Sequence, residues 1–78
     1  MGESNLATTF GQVLRKVRED SGISQEHLAS ECGLDRTYIS LIERGQRNPT
    51  LKTVFVLSEV LEVAPSTLIR KIERKLNE

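Results

Sequence analysis

The fold is decided by the stretch from Ile23 to Asn48, which reads ISQEHLASECGLDRTYISLIERGQRN. Ser24 directly precedes a short run with apolar residues at helical spacing, and a serine in that position caps free backbone N–H groups. Gly33 follows this run, as expected for the left-handed residue that often closes a helix. Asp35 is the next capping residue and precedes a second run over about 36–44. The stretch therefore predicts two short capped helices joined by a tight turn at Gly33.

Three more helices are predicted outside this stretch, over about 9–20, 51–62 and 65–77, from apolar residues at helical spacing. Thr8 or Thr9 is the predicted N-cap of the first. A threonine precedes the second and a proline begins the third, as helix starts favour. Helices with one apolar stripe bury it against each other, so the pattern predicts a bundle.

The domain organisation follows from these elements. We expect residues 1–8 to be a flexible N-terminus and residues 9–78 to be a single domain. The predicted fold is all-α, a compact five-helix bundle with a helix-turn-helix motif over about 24–44. A chain of 78 residues supports one modest core and is too small for a catalytic cleft between lobes, so we expect a binding module and no enzyme.

The composition is that of a soluble globular protein, with 37% hydrophobic and 28% charged residues. No apolar run is long enough to span a membrane, and the first residues lack the pattern of a signal peptide, so a cytoplasmic location is expected. With a single cysteine and a single histidine, neither a zinc site nor an internal disulfide is expected, and no cofactor is predicted. For Cys32 we favour a role as core filler over a reactive thiol.

The charge distribution is more informative than the net charge, which is zero. Residues 35–53 carry four basic and two acidic side chains, whereas residues 1–34 carry three and five. This local excess of positive charge is small, but it is the kind of patch that attracts a polyanion such as nucleic acid. The basic face of the last predicted helix is interpreted as a solvated face, because Glu73 and Glu78 interrupt it.

The helix predicted over 36–44 has one apolar and one polar side. At about 100° per residue, Ile39, Ile42 and Glu43 share one side with Tyr38 at its edge. The N-terminal end of such a helix is the end that a DNA-recognition helix places in the major groove. The residues predicted to read bases lie on the other side: Arg36, Thr37, Ser40 and Leu41.

The chemistry of these side chains suits base edges. Arg36 can direct two donors to O6 and N7 of guanine, and Thr37 can hydrogen-bond a base or phosphate or contact a thymine methyl group. Leu41 is compatible with two interpretations, a thymine-methyl contact or a partly covered surface leucine.

Contacts to the DNA backbone are predicted from polar and charged side chains near helix starts and in the loop after the motif. Gln25 begins the first motif helix, where free backbone N–H groups also face an anion. Two interpretations of Tyr38 are open. Either its ring packs against the bundle while its hydroxyl contacts the DNA backbone, or it is a core tyrosine with no role in binding. The predicted backbone-binding residues are Gln25, Tyr38, Arg44, Arg47, Asn48 and Lys52.

Dimerisation is suggested by the helix over 51–62, which has more apolar residues than one core face needs. Its predicted core arc holds Leu51, Val54, Phe55, Leu57 and Leu61. Val56 and Val60 lie outside that arc, and either the last helix covers them or they form a twofold interface. In the second case the predicted interface consists of Val56 and Val60 with Leu68 and Ile72 of the last helix.

The motif is similar to that of the lambda repressor/Cro-like (Xre) helix-turn-helix family. The resemblance rests on Ser24-Gln25-Glu26, Leu28-Ala29, Gly33-Leu34, Ile39-Ser40, Ile42-Glu43-Arg44-Gly45 and Arg47-Asn48-Pro49, and it covers about residues 10–70. The run over 34–40 further resembles controller proteins of restriction–modification systems.

The resemblance implies a five-helix fold that acts as a dimer on palindromic operators. It also implies that Arg36 and Thr37 read bases, while Tyr38, Gln25, Arg47 and Asn48 hold the DNA backbone or the local geometry. An ion pair between Arg18 and Glu43 is implied as well, and it makes physical sense because a lone carboxylate facing the core is costly.

We therefore expect a transcriptional regulator that binds double-stranded operator DNA of pseudo-palindromic sequence as a homodimer. A controller protein of a restriction–modification system is the preferred member of the family. The alternatives are a protein-interaction module, such as an antitoxin or adaptor, and a prophage-type repressor. No small-molecule effector or membrane partner is predicted.

Overall fold

The backbone forms five helices in this computed structural model, which describes residues 3–78, with side chains from Asn5 onward. The helices are α1 (Glu3–Asp20), α2 (Gln25–Cys32), α3 (Arg36–Glu43), α4 (Leu51–Val60) and α5 (Pro65–Leu76). Within residues 3–78 there is no strand, so the predicted all-α five-helix architecture is confirmed. No helix in this part of the chain is both long and apolar enough to cross a membrane.

The predicted caps explain where three helices begin. The hydroxyl of Ser24 accepts from the backbone N–H of His27 at 3.0 Å. The carboxylate of Asp35 accepts from the N–H of Thr37 at 2.8 Å, and Thr50 caps α4 in the same way. Gly33 adopts φ 69°, the left-handed conformation predicted for the turn between α2 and α3.

The prediction for the N-terminus was wrong in part. Helix α1 begins at Glu3 and not near residue 9, so residues 3–8 of the expected flexible segment are helical, and Thr8 and Thr9 lie inside the helix. The reason is tertiary, because the extra turns bury Ala7 to 6% exposure against the bundle. Residues 1–2 lie outside the described residues.

The ends of α4 and α5 also differ from the prediction. Helix α4 ends at Val60, two residues before the predicted end. Glu62 has φ 58°, a left-handed conformation that a continuing helix cannot contain. Helix α5 ends at Leu76, one residue earlier than predicted.

The core is built around α1, which packs against α3 and α5, while α2 packs against α3 and α4. The most deeply buried apolar side chains come from all five helices: Leu14, Leu28, Ile39, Ile42, Leu57 and Leu68. At Gly11 the backbones of α1 and α3 approach so closely that an added Cβ would clash with the carbonyl oxygen of Ile42 and lie 2.6 Å from that of Glu43. This contact fixes α3, and with it the motif, on the longest helix of the bundle.

Candidate nucleic-acid interface

Helix α3 presents its first turn to solvent while its other side anchors it. Ile39 and Ile42 are fully buried, at 0% exposure each, and Glu43 is also buried. Arg36 and Thr37 are exposed, as predicted for side chains that meet a ligand. The apolar and polar sides predicted for this helix are confirmed, and the free side is the one that carries the proposed base readers.

A buried ion pair holds α3 to α1. The Arg18 guanidinium donates from Nε to Oε2 of Glu43 at 2.6 Å and from Nη2 to Oε1 at 3.0 Å. Its third contact is from Nη1 to the carbonyl oxygen of Ile23 at 2.9 Å, which lies in the α1–α2 connection. The pair that the family resemblance implies is therefore present with bidentate geometry, which is the strong form of an Arg–carboxylate contact.

The environment of Arg18 preserves its charge. Its hydrogen bonds to Glu43 raise the pKa of Arg18, burial opposes this by lowering the pKa, and the charges of Glu43 and Glu19 raise it further. Arg18 therefore stays protonated at any physiological pH, so the Arg18–Glu43 ion pair has a constant structural role and does not respond to pH through Arg18.

Gln25 has a different role from the one predicted. Its side-chain amide nitrogen donates to Oε1 of Glu43 at 2.9 Å, and the side chain is half-buried. Gln25 therefore ties the start of α2 to the end of α3, and at least one of its donors is used inside the protein. A contact from Gln25 to the DNA backbone stays a prediction for its remaining hydrogen-bonding capacity.

Polar side chains line a groove beside α2, and Arg36 of α3 lies among them. It is lined by Arg18, Ser24, Gln25, Glu26, His27, Ser30, Glu31 and Arg36. The exposed Arg36 thus lies next to the first turn of α2, where a helix leaves backbone N–H groups free. This is the arrangement in which a base reader and anion-binding amides can engage the same stretch of a double helix.

Ser40 and Leu41 are less accessible than the first turn of α3. Both are half-buried, and the carbonyl oxygen of Ser40 faces the Nε of Arg44 at 3.4 Å. The half-covered position of Leu41 agrees with both interpretations made from the sequence. Base reading by either residue stays a prediction, as does a backbone contact by the exposed Arg44.

The loop after α3 carries the remaining predicted backbone contacts. The guanidinium carbon of Arg47 lies over the ring of Tyr38, 5.7 Å from its centroid. Asn48 is exposed and faces a groove on another side of the bundle, while Lys52 is exposed in the first turn of α4. The structure therefore brings Arg47 to the motif but leaves Asn48 beside an apolar surface.

The predicted dimer surface was wrong for α5. Leu68 and Ile72 are 1% and 5% exposed, because both side chains fill the core of this chain and leave no surface for a partner. Val56 and Val60 are half-buried, and Val60 packs against the core.

The exposed apolar side chains lie elsewhere, at Leu51, Phe55, Ile69 and Leu6. Val54, Leu57 and Leu61 of the predicted core arc of α4 are buried as predicted, and Ser58 is buried beside them. Its hydroxyl donates to the carbonyl oxygen of Phe55 at 2.9 Å, so burial leaves no polar group unpaired. Leu51 and Phe55, which the apolar pattern also assigned to the core, instead face outward at 72% and 54% exposure.

An apolar groove results between α1, α4 and α5. Leu6, Leu51 and Ile69 line it, together with Phe10, Val54, Ile72, Leu76 and the polar Asn48, Glu73 and Asn77. We call this surface the apolar groove. Phe55 lies one helical turn beyond Leu51 and extends the same apolar surface.

Cys32 is half-buried at the end of α2 and packs against the core. Burial raises the pKa of the Cys32 thiol, and the charge of Glu31 raises it further. A raised pKa lowers the thiolate fraction, so the interpretation as core filler is supported over a reactive thiol.

Comparison with known proteins places these features in a family. The helix-turn-helix family matches residues 14–68. Control protein C.BamHI of Bacillus amyloliquefaciens is 48% identical over 67 residues, which cover 85% of this chain and 83% of that protein.

Two solved structures share the fold. The restriction–modification controller protein C.AhdI from Aeromonas hydrophila is 45% identical with a TM-score of 0.77, and the match covers 80% of this chain and 94% of that one. The controller protein C.Esp1396I, in a tetramer with its natural 35 base-pair operator, is 36% identical with a TM-score of 0.84. That match covers 94% of this chain and 96% of the other.

Proposed function

This chain belongs to the helix-turn-helix family, and from that premise we propose that it is a sequence-specific transcriptional regulator of the restriction–modification controller kind. It binds double-stranded operator DNA through α3. The observation that carries the proposal is the exposed first turn of α3, with Arg36 and Thr37, on a helix whose other side is locked by the Arg18–Glu43 pair. The similarity to controller proteins along most of the chain supports the same conclusion.

Base reading is assigned to the first turn of α3. Arg36 places two N–H donors against O6 and N7 of a guanine, the commonest specific contact in the major groove. Thr37 is next to it and contacts a neighbouring base or phosphate. Because the Asp35 cap and the buried side of α3 hold the helix rigid, little ordering is needed when DNA binds.

Contacts to phosphates come from the loop and from the start of α4. Arg47 and Lys52 are exposed cations near the motif, and they are proposed to fix the register of the protein on the duplex without reading sequence. Because its net charge is zero, this protein has no overall positive charge that would attract DNA regardless of sequence. We expect its affinity to depend on these local contacts more than on a general positive field.

Two copies of the chain act together through the apolar groove. Leu51, Phe55 and Ile69 are each more than half exposed, and burying them between two copies gives the hydrophobic centre that a dimer interface needs. To read a pseudo-palindrome, such a dimer has to present its two α3 helices to successive major grooves, about 34 Å apart. A pseudo-palindromic operator is the DNA counterpart of that symmetry.

The test is quantitative DNA binding with matched variants, after fragments have been selected from random DNA by the wild-type protein. Arg36→Ala should lose about 1–3 kcal/mol of binding free energy on the selected sequence and relax discrimination at one base pair per half-site. Arg47→Ala should weaken all sequences alike and reduce the salt dependence, because one phosphate contact is lost.

Lys71→Ala removes an exposed cation from α5 and is the control for charge alone. Equal losses on selected and scrambled DNA for Arg36→Ala and Lys71→Ala would overturn the assignment of Arg36 as a base reader. Failure of the wild-type protein to select any sequence would overturn the proposed function as a whole.

A further inference from the structure

The last helix carries exposed cations that the proposed contact with DNA does not use. Lys71, Arg74 and Lys75 are exposed on α5. Together with Lys16 of α1 they line a groove between the C-terminal halves of these two helices, with a volume of about 490 Å³. We call this surface the basic groove, and its other lining residues are Gln12, Val13, Val17, Asp20 and Glu78.

The basic groove is separate from the proposed DNA interface. On α1, Gly11 and Arg18 contact α3, whereas Lys16 and Asp20 line the basic groove. At about 100° per residue, Lys16 and Arg18 point to roughly opposite sides of α1. Helix α1 therefore lies between the basic groove and α3, and a role in reading DNA does not explain why cations gather in this groove.

The cations of the basic groove differ in how they are paired. On α1, Nζ of Lys16 lies 3.1 Å from Oδ1 of Asp20, one helical turn later. On α5, no carboxylate among the side chains that the structure describes forms an ion pair with Lys71, Arg74 or Lys75. Arg74 and Lys75 follow Lys71 by three and four residues, the spacings at which like charges on a helix repel each other. An anion bound in the groove would relieve this repulsion.

The acidic residues of α5 leave this face more basic than the order of the sequence indicates. Glu73 stands among the basic residues in the sequence but lies on another side of α5, where it lines the apolar groove. Only Glu78 accompanies the α5 cations at the basic groove. The helix dipole favours cations in the last turn of a helix, but it does not account for Lys71, more than one turn before the end, or for Lys16 on another helix.

We propose that the basic groove is a docking site for an acidic segment of a partner protein, in which carboxylates stand next to an apolar side chain. The carboxylates are selected by charge complementarity with the cations of the two helices. The apolar side chain is favoured because Val13 and Val17 line the groove together with the hydrocarbon stems of the lysines. A nucleic-acid backbone offers charge but little apolar surface, so these features favour a polypeptide.

The first test is a titration of the isotope-labelled full chain with a short capped peptide in which glutamates flank a central leucine. In nuclear magnetic resonance spectra, the amide signals of the residues that line the basic groove should shift. The same peptide with glutamine in place of each glutamate should bind at least about tenfold more weakly. If the glutamate peptide shifts no signals, or shifts signals centred on another surface, the proposal is overturned.

Matched variants test whether the groove itself is responsible. Lys71→Ala combined with Lys75→Ala should raise the Kd of the glutamate peptide at least about fivefold, because two of the four cations are removed. Arg70→Ala removes an exposed cation of α5 that does not line the groove, and it should change the Kd by less than about twofold. Equal losses for the two variants would mean general attraction to a basic helix and would overturn the proposal.

The double variant also separates a protein partner from nucleic acid. It should bind the selected DNA within about twofold of the wild type, because the basic groove is remote from α3. Weaker binding to selected and scrambled DNA alike would make the groove a nucleic-acid surface and overturn the proposal. The peptide titration contains no DNA, so its failure leaves the proposed function standing, and failure of the wild-type protein to bind DNA would not account for it.

Discussion

At the scale of single residues, the absence of one methyl group at Gly11 sets the distance between two helices. Helical propensity alone would favour alanine there by about 1 kcal/mol. An added Cβ, however, would clash with the backbone carbonyl oxygens of Ile42 and Glu43, which cannot rotate away as a flexible side chain could. Gly11 is therefore the residue that allows α1 to support α3.

Substitution of Gly11 tests this directly. Gly11→Ala is expected to lower the free energy of unfolding by about 1–3 kcal/mol, measured by urea denaturation, because overpacking outweighs the gain in propensity. Gln12→Ala, at the exposed neighbouring position of α1, is the control and should change stability by less than about 0.5 kcal/mol. If Gly11→Ala were as stable as the control, α1 and α3 could move apart at little cost in free energy, and the close approach at Gly11 would not be needed for stability.

Individual residue roles were predictable from the sequence to different degrees. The pairing of Arg18 with Glu43 followed from the family resemblance, and the structure contains it. The contact of Gln25 with the same carboxylate was missed, because a glutamine at a helix start carries no pattern that distinguishes an inward from an outward amide. The isolated Gly11 inside a helical run was a readable signal of close approach that the apolar periodicity alone did not use.

At the scale of helices, the boundaries set by local chemistry were predicted and those set by tertiary contacts were not. Ser24, Asp35 and Thr50 cap helices through hydrogen bonds within three residues, so the sequence nearby contains the whole cause. The start of α1 depends on the burial of Ala7 against distant parts of the chain, which periodicity from Phe10 onward could not indicate.

The end of α4 offers a stabilising substitution. Glu62 has φ 58°, and an L-residue in this conformation costs about 1–2 kcal/mol, which glycine avoids. Part of that gain is lost to the larger entropy of glycine in the unfolded chain. Glu62→Gly should therefore raise the free energy of unfolding by about 0.5–1 kcal/mol, seen as a higher Tm.

The matched control is Glu59→Gly, which removes the same charge from an exposed position inside α4. It should lower stability by about 1 kcal/mol, because glycine is a poor residue in a helix interior. Changes of the same sign for both variants would mean that charge, and not backbone conformation, determines the effect.

At the scale of the whole molecule, the proposed dimer through the apolar groove predicts that a charge on this surface weakens association. Phe55→Glu introduces a charge into the exposed apolar surface and should raise the Kd of the dimer at least tenfold, about 1.4 kcal/mol. Analytical ultracentrifugation measures this change. The fold should persist, because more than half of the Phe55 side chain is already exposed.

Ser66→Glu adds the same charge at an exposed position of α5 and should leave association unchanged. Dimerisation of Phe55→Glu at the wild-type concentration would place the interface elsewhere. The sequence predicted an apolar surface on α4 at Val56 and Val60, whereas the exposed residues are Leu51 and Phe55, because an apolar pattern wider than one face does not show which of its edges meets the core. The class of fold and the face of α3 were predictable from local patterns, whereas the exposed apolar surface of α4 depends on how that helix packs against its neighbours.

The hydrogen bonds of the Glu43 carboxylate affect which parts of the protein can unfold separately. It is held from α1 by Arg18 and from α2 by Gln25, and Arg18 also holds the carbonyl oxygen of Ile23. If α3 detached alone, a charged guanidinium would be left in the bundle without its partner, which makes such partial unfolding costly. We therefore expect the first three helices to behave as one cooperative unit, whose slowest amide protons exchange with deuterium at a common rate set by joint opening.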